Sequence, residues 1–289
     1  FTNKFRLEVN PFLQQTSFNN LQYESVNTNA VDYAKDSRIL YTGFKLKGVF
    51  DNTDERGFNI LQGTRALVEV HYNQSFSKNQ SFNVFRFDLR HYQKIHNELT
   101  LATRIYMGKS FGPNPQKFLL GGVPNWVLAQ TKEHSGGDPL TVANEIDNSN
   151  LLFTEFVNHM RGYDLNEKYG TAALLVNMEL KFPVFQYLSR FPVKSTFLRN
   201  FMLVAFTDIG SAWDRKIPIT RKNSIIFIDY DETPFKANVA NYASPWLVSY
   251  GFGLRTALLG YYLKLDYARP LEDFKIKSAK FTLSLGLDF

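Results

Sequence analysis

The sequence predicts an all-β protein: an antiparallel, up-and-down transmembrane β-barrel with about ten recognisable strands here and about sixteen in a full-length protein. Three observations predict it. Windows along the chain match a period of two repeatedly and the helical period of 3.6 almost nowhere. The face opposite the Phe/Leu/Tyr positions carries Arg, Lys, Asp or Glu in nearly every strand. A soluble sandwich buries one face and wets the other, whereas a barrel in lipid needs an apolar outside, a polar inside and no open edge. Finally, long connections alternate with short ones, as in barrels with short turns at one rim and long loops at the other. The competing reading is a soluble antiparallel barrel or sandwich with a wet outer face.

In chain order, Phe5, Leu7 and Val9 alternate with Lys4, Arg6 and Glu8, and Leu40, Thr42, Phe44 and Leu46 with Gly43, Lys45 and Lys47. Ala66, Val68, Val70 and Tyr72 oppose Arg65, Glu69 and His71. Phe85, Phe87 and Leu89 oppose Arg86, Asp88 and Arg90, and Leu99, Leu101, Ile105 and Met107 oppose Thr100, Arg104 and Gly108. Two further segments lie at 174–182 and 201–209. Val248 to Arg255 and Tyr261 to Ala268 alternate on either side of a tight turn ending at Gly260. The last segment is the cleanest: Phe281, Leu283, Leu285, Leu287 and Phe289 face one way, and Thr282, Ser284, Gly286 and Asp288 the other. Its length suits a tilted membrane strand of about nine residues.

With the C-terminus on the periplasmic side, connections 13–38, 73–82, 109–170, 213–246 and 269–279 fall outside, and the turns 93–97 and 256–260 inside. The inner connections 51–63 and 184–198 are longer than this rule expects. Residues 1–289 read as one barrel domain, the C-terminal part of a longer protein, because Phe1-Thr2-Asn3-Lys4 opens without a signal peptide straight into an alternating segment.

Composition excludes several classes. Hydrophobic residues at 44% and aromatics at 16% are too many for a disordered chain. Mean hydropathy of −0.27 and the lack of any long apolar run exclude a transmembrane helix but not a membrane barrel. The chain has no cysteine, which removes thiolate chemistry and disulfides. The net charge of +6 comes from Lys and Arg scattered among acids, so no nucleic-acid partner is expected.

Enzyme motifs fail where they begin. Gly108-Lys109-Ser110 lacks the P-loop glycine, since Thr103 stands there, and Gly251-Phe252-Gly253 meets Thr256 where a third glycine belongs. No G-x-S-x-G is present, and His71, His91, His96, His134 and His159 lack metal-ligand spacing. No enzyme activity, cofactor or metal is expected.

Met160-Arg161-Gly162-Tyr163, in the longest connection, resembles the VRGF/Y motif of the BamA/TamA (bacterial surface antigen) superfamily of outer-membrane assembly factors and translocators. Other strings follow in that family's order. Asp51-Asn52-Thr53-Asp54 through Thr64-Arg65 resembles a periplasmic turn, Phe118-Leu119-Leu120-Gly121-Gly122 the LGG approach, and Asn177-Met178-Glu179-Leu180-Lys181-Phe182-Pro183 the N-x-E-L-R-F-P strand. Phe206-Thr207-Asp208-Ile209-Gly210-Ser211-Ala212-Trp213 resembles F-x-D-x-G-x-x-W. Gly251-Phe252-Gly253-Leu254-Arg255, Leu265-Asp266-Tyr267-Ala268-Arg269-Pro270 and terminal Phe289 resemble the closing strands. The chain departs from the pattern by an insertion: about forty residues separate the LGG element from Met160. Gly121-Gly122-Val123-Pro124-Asn125-Trp126 is similar to Bacteroidota-type variants, whose barrel follows a TolB-like propeller instead of POTRA domains.

The resemblance implies that Arg161 folds into the lumen and pairs with Glu179 and Asp208. The parity of the strand independently puts Glu179 on the polar face with Asn177 and Lys181. For Asp208 parity is ambiguous, since Val204 and Phe206 share its face; Arg255 and Asp266 read as lumen lining. The family likeness further implies an outer membrane of a Gram-negative (diderm) bacterium, nascent outer-membrane proteins as clients, and lipoproteins or other complex subunits as partners. Three functions stay open: insertion or assembly of outer-membrane proteins through a lateral seam formed by Phe281 to Phe289, a barrel that anchors or exports a fused or partner domain, and a structural subunit without insertase activity.

Overall fold

The computed structural model describes residues 4–18, 37–56, 59–77, 79–132, 134, 153–189, 191–214, 216–219, 225–232, 235–242, 244–258, 260–273 and 275–286. Its strands begin with β1 (Phe5–Phe18), β2 (Ser37–Asp51), β3 (Asp54–Arg56), β4 (Asn59–Ser75), β5 (Phe82–His96) and β6 (Leu99–Phe111). The long connection then contributes β7 (Phe118–Leu120), β8 (Glu155–Val157) and β9 (Lys168–Gly170). After β10 (Ala172–Phe182) come the short helices α1 (Val184–Leu188) and α2 (Thr196–Arg199), then β11 (Met202–Trp213). The chain continues with β12 (Ile225–Glu232), β13 (Phe235–Tyr242), β14 (Leu247–Leu258), β15 (Tyr261–Glu272), β16 (Lys275–Ile276) and β17 (Lys280–Leu285).

One antiparallel sheet of twelve strands dominates. Short β3 and β16 sit beside β4 and β15, which leaves ten long strands in the order β1-β2-β4-β5-β6-β10-β11-β14-β15-β17. These are the ten segments of alternating residues, each paired with its neighbour in sequence, as an up-and-down barrel wall requires. No pairing between β1 and β17 occurs among the described residues. The total of about sixteen strands concerns a longer protein and is not carried by this chain. No helix among the described residues is long and apolar enough to cross a membrane.

Burial is inverted relative to a water-soluble sheet. Glu69, Asn73, Arg104, Asn177, Glu179, Lys181, Asp208, Ser249, Arg255, Lys264, Asp266 and Thr282 are buried on the inner face. Leu7, Val9, Phe44, Leu46, Val68, Ile105, Met107, Leu180, Phe252, Leu265, Phe281 and Leu283 stand exposed on the outer face. Such a contiguous apolar exterior is costly in water and favourable in lipid.

Two connections differ from expectation for local reasons. Residues 51–63 shorten because β2 runs to Asp51 and β4 starts at Asn59, with β3 folded back on β4. Residues 184–198 are long because they hold α1 and α2, and Ser195 caps α2 by accepting from Leu198 N–H. At the β5–β6 hairpin the turn contains Asn97 at φ +46°, a conformation asparagine tolerates better than most residues. At the opposite rim, β12 and β13 form a hairpin and β8-β7-β9 a separate three-stranded sheet.

That small sheet gives the upper lumen an apolar filling. Phe118, Leu120, Val157, Met160 and Tyr163 from the long connection pack against Tyr41, Phe82, Tyr106, Leu175 and Leu247 of the wall. Phe153 packs edge-on to Tyr41 and tilted to Phe82, with ring centroids 5.3 and 4.7 Å apart. The lumen is therefore layered, with an apolar plug above and ion pairs below.

Asp214 ties this plug to the wall. Lys117 Nζ donates to its two carboxylate oxygens at 2.9 and 3.0 Å, and Thr171 N–H donates at 2.9 Å. Burial pushes the Asp214 carboxyl up, but the Lys117 bond and charge, with the Thr171 N–H, outweigh this and hold it below the usual carboxylate value. A depressed carboxylate contributes stability above its unfolded pKa and loses it as pH falls through the folded one. The gap in thermal midpoint between wild type and Asp214→Asn is therefore expected to stay constant from about pH 8 to 5 and to shrink below about pH 4. A gap unchanged at about pH 3 would show that the ion pair contributes nothing.

Candidate functional site

The site is built on β10 and β11, whose antiparallel register sets Asn177 opposite Asp208 and Glu179 opposite Phe206. Period-two alternation turns Asn177, Glu179, Phe206 and Asp208 inward. Val204, Phe206 and Asp208 are all buried, which resolves the ambiguity of that strand's parity: an apolar pair shares the inner face with the acid.

Arg161 enters this layer from the long connection and is 2% exposed. Its Nε and Nη2 donate to the two oxygens of Asp208 at 2.8 and 2.6 Å, and its Nη1 donates to Glu179 Oε1 at 2.5 Å. The Arg161 backbone N–H adds a third bond to Asp208 at 3.2 Å. A planar guanidinium matches this fork-on-carboxylate geometry, which a lysine ammonium cannot reproduce. The guanidinium carbon also lies 3.7 Å from the centre of the Phe206 ring. Asn177 Nδ2 donates to Asp208 Oδ1 at 2.7 Å and to the His159 carbonyl at 2.6 Å, bridging acid and loop.

The neighbouring motif residues spread the contact toward later strands. Met160 is fully buried and pairs with Gly122, whose carbonyl accepts from His159 and Met160 N–H at 3.0 and 2.9 Å. Gly162 sits at φ +85° against Ala268 and Pro270 of β15, where a side chain would be strained. Tyr163 Oη accepts from Val248 N–H at 3.2 Å and lies 2.9 and 2.8 Å from the carbonyls of Val248 and Leu271, to either of which it can donate. The four-residue motif thus touches β10, β11, β14 and β15.

Two participants carried weak signals in the sequence. Phe206 entered the sequence reading only as an apolar residue sharing the face of Asp208, yet its ring fills the space beside Gly251, whose added Cβ would lie 2.9 Å from it. Glu155 sat in an unpatterned stretch, but it pairs with Arg86 and accepts from Tyr106 Oη at 2.6 Å. Other inner-face cations are matched the same way. Arg104 donates to Asp88 at 3.1 and 2.9 Å, and Arg255 to Asp266 at 2.7 Å.

The described histidines are scattered. His91 meets Thr64, His96 meets Tyr187, and His134 meets the Asn166 carbonyl. No group of three or more His, Asp and Glu residues among the described residues is placed to hold a metal.

Of the closing strand, Phe281 and Leu283 face outward, Thr282 and Ser284 are buried inward, and Phe281 packs edge-on to Tyr267 at 4.9 Å. Leu287 and Phe289 lie outside the described residues.

Over its whole length, residues 1–289, the chain matches the model of the Omp85 superfamily domain. The chain belongs to the Omp85 superfamily. This Omp85 chain is an outer-membrane barrel of the BamA/TamA type. Among solved structures it is similar to BamA from Haemophilus ducreyi lacking POTRA domains 1-3, with TM-score 0.50 and 16% identity over 87% of this chain and 44% of that one. It is also similar to CdiB from Acinetobacter baumannii, with TM-score 0.48 and 14% identity over 99% of this chain and 39% of that one. The chain spans less than half the length of either structure. At these identities the likeness to BamA shows the fold. No curated protein sequence matches the chain. Omp85 superfamily members act in the outer membrane on substrate proteins.

Proposed function

We propose that this barrel assists the insertion and assembly of outer-membrane proteins, or their translocation, through a lateral seam at its last strand. Residues 1–289 form the barrel domain of a longer protein, with the C-terminus at the periplasmic side. Clients are nascent outer-membrane proteins, and lipoproteins or other complex subunits are its partners. The observation that supports this reading is the place of β17 at the end of the sheet, paired with β15 on one side and with no wall strand on the other among the described residues. Among the described residues the β14–β15 ladder pairs eleven residues and the β15–β17 ladder six, continued by Gly286 N–H to the Tyr262 carbonyl at 2.9 Å. The Arg161 motif braces β10, β11, β14 and β15 from inside, and Asp164, directly after it, pairs with Lys280 Nζ of β17 at 2.7 Å. The last strand of such a wall has a backbone edge on which an incoming strand can pair without covalent chemistry.

The test is photo-crosslinking in living cells from a probe at Phe281 of the full-length protein. Capture of many newly made outer-membrane barrels, lost on Arg161→Ala, is the expected result. Capture of one fixed partner, or of the protein's own first strand alone, would move the reading to an anchor, export or structural-subunit barrel.

A further inference from the structure

The apolar exterior of the wall carries its cations at one rim. Arg38 opens β2 in step with outward Leu40, Lys109 stands between outward Met107 and Phe111 near the end of β6, and Arg269 follows outward Tyr267 near the end of β15. All of these ends lie at the rim of the long connections. The three side chains are exposed, and among the described residues none has an acid partner and no Asp or Glu of the ten wall strands shares their face. A surface of one sign at one level of the membrane is complementary to anionic headgroups at that level.

Arg269 stands over a groove. On the outer face of β14 and β15, Tyr250 lies directly opposite Arg269 and Phe252 opposite Tyr267. These four side chains line a groove of about 480 Å³ over the backbone of Gly251. Phe252 and Tyr267 stack with ring centroids 5.9 Å apart, and Tyr267 packs on Phe281, so the groove borders the last strand of the wall. Arg269 Nε donates to Tyr267 Oη at 3.0 Å, and the guanidinium carbon lies 5.9 Å from the centre of that ring. Tyr267 thus fixes one side of the fork, while the two Nη groups make no bond among the described residues.

We propose that this groove is a lipid site, in which the Arg269 Nη groups hold the phosphate of a phosphorylated glycolipid of the outer leaflet and an acyl chain lies along Tyr250, Phe252 and Tyr267. The depth fits. Four residues at about 3.3 Å each, on a strand tilted about 40°, raise Arg269 about 10 Å above mid-strand Leu265, near the edge of an apolar band about 25 Å tall. Tyrosines mark the same level, as in the aromatic girdles of membrane barrels. A guanidinium at that depth needs an anion, and its planar fork suits phosphate oxygens. The choice of glycolipid rests on the periplasmic C-terminus proposed above, which puts this rim at the cell surface, where the leaflet of a diderm outer membrane is phosphorylated glycolipid.

The full-length protein in detergent is titrated with lipid A, the phosphorylated glycolipid used as probe, and read by native mass spectrometry. Wild type is expected to retain the lipid, and Arg269→Gln to bind it about ten-fold more weakly. Lipid A stripped of phosphate is expected to bind wild type as weakly as the variant binds the intact lipid. Lys109→Gln, separated from the groove by β10 and β11, is expected to change the affinity less than about two-fold. Equal affinity of wild type and Arg269→Gln overturns the site, and so does an equal loss in Lys109→Gln, which leaves only the charge of the rim. Tighter binding of phosphatidylglycerol than of lipid A, lost on the same substitution, overturns the glycolipid assignment. A two-chain species that Arg269→Gln disperses puts a second copy of the chain in the groove and overturns the lipid.

Orientation is read separately. The chain has no cysteine, so Lys275→Cys on exposed β16 gives a single thiol at this rim. A membrane-impermeant maleimide is expected to label it on intact cells. Labelling only after the outer membrane is opened overturns the orientation, and the outer-leaflet lipid with it, whatever Arg269→Gln does to lipid A binding.

Discussion

Arg161→Ala is expected to cost about 3–5 kcal/mol of barrel stability and to free the long connection from the lumen, because it strips the cation from a buried cluster. Glu179 and Asp208 are 1% and 0% exposed, and between them they take three side-chain bonds from the guanidinium. Without it Asp208 is left to amide donors such as Asn177 Nδ2, and Glu179 to Lys181 Nζ at 3.4 Å, in a region of low dielectric. Arg161→Lys is expected to recover only part of the loss, since an ammonium cannot satisfy both Asp208 oxygens and Glu179 together. Combining Arg161→Met with Glu179→Gln and Asp208→Asn is expected to be more stable than Arg161→Ala alone, because the penalty lies in the orphaned charges. Urea unfolding in bilayers measures the first effect, and limited proteolysis of residues 112–132 the second. An alanine variant with wild-type midpoint and protease resistance would mean that Tyr163 and the apolar plug hold the connection by themselves.

Those acids were partly legible in the sequence. Glu179 follows from parity, because Asn177 and Lys181 share its face and a tilted strand keeps one face inward along its length. Asp208 could not be placed the same way, since Val204 and Phe206 are apolar and parity alone cannot say which side of such a strand is wet. The reason is tertiary: Phe206 lies beneath a guanidinium that arrives from 45 residues away in the chain, counting back to Arg161. The ten wall strands were readable because lipid on one side and ions on the other impose a strict alternation. Their ends were not, because several strands run beyond the hydrocarbon, where neither face is constrained; β4 reaches 17 residues against the about 9–11 needed to span. The β7–β9 sheet and the β12–β13 hairpin also went unread. Strands of three residues such as Phe118–Leu120 are too short to show a period, and their burial comes from lumen packing that no local pattern records.

Leu265→Arg is expected to destabilise the barrel in a bilayer by about 2–4 kcal/mol, the cost of a guanidinium on the lipid face near the midplane. Leu265 lies mid-strand in β15 and faces outward, in register with Leu254 on one side and Leu283 on the other. Its chain neighbours Lys264 and Asp266 are buried inward, so a single-residue step separates the apolar exterior from the ion-paired interior. Tyr261→Arg supplies the internal control. Tyr261 is also exposed on the outer face but stands at the end of β15 beside the Gly260 turn, where the same charge is expected to cost about 0–1 kcal/mol. Urea unfolding of both variants in lipid vesicles reads the difference directly. A soluble sheet with a wet outer face would tolerate arginine equally at both positions, so equal midpoints would contradict the lipid-facing assignment of this surface. A depth-dependent penalty follows from the inverted burial, because the residues that would form the core of a soluble protein here meet the hydrocarbon instead.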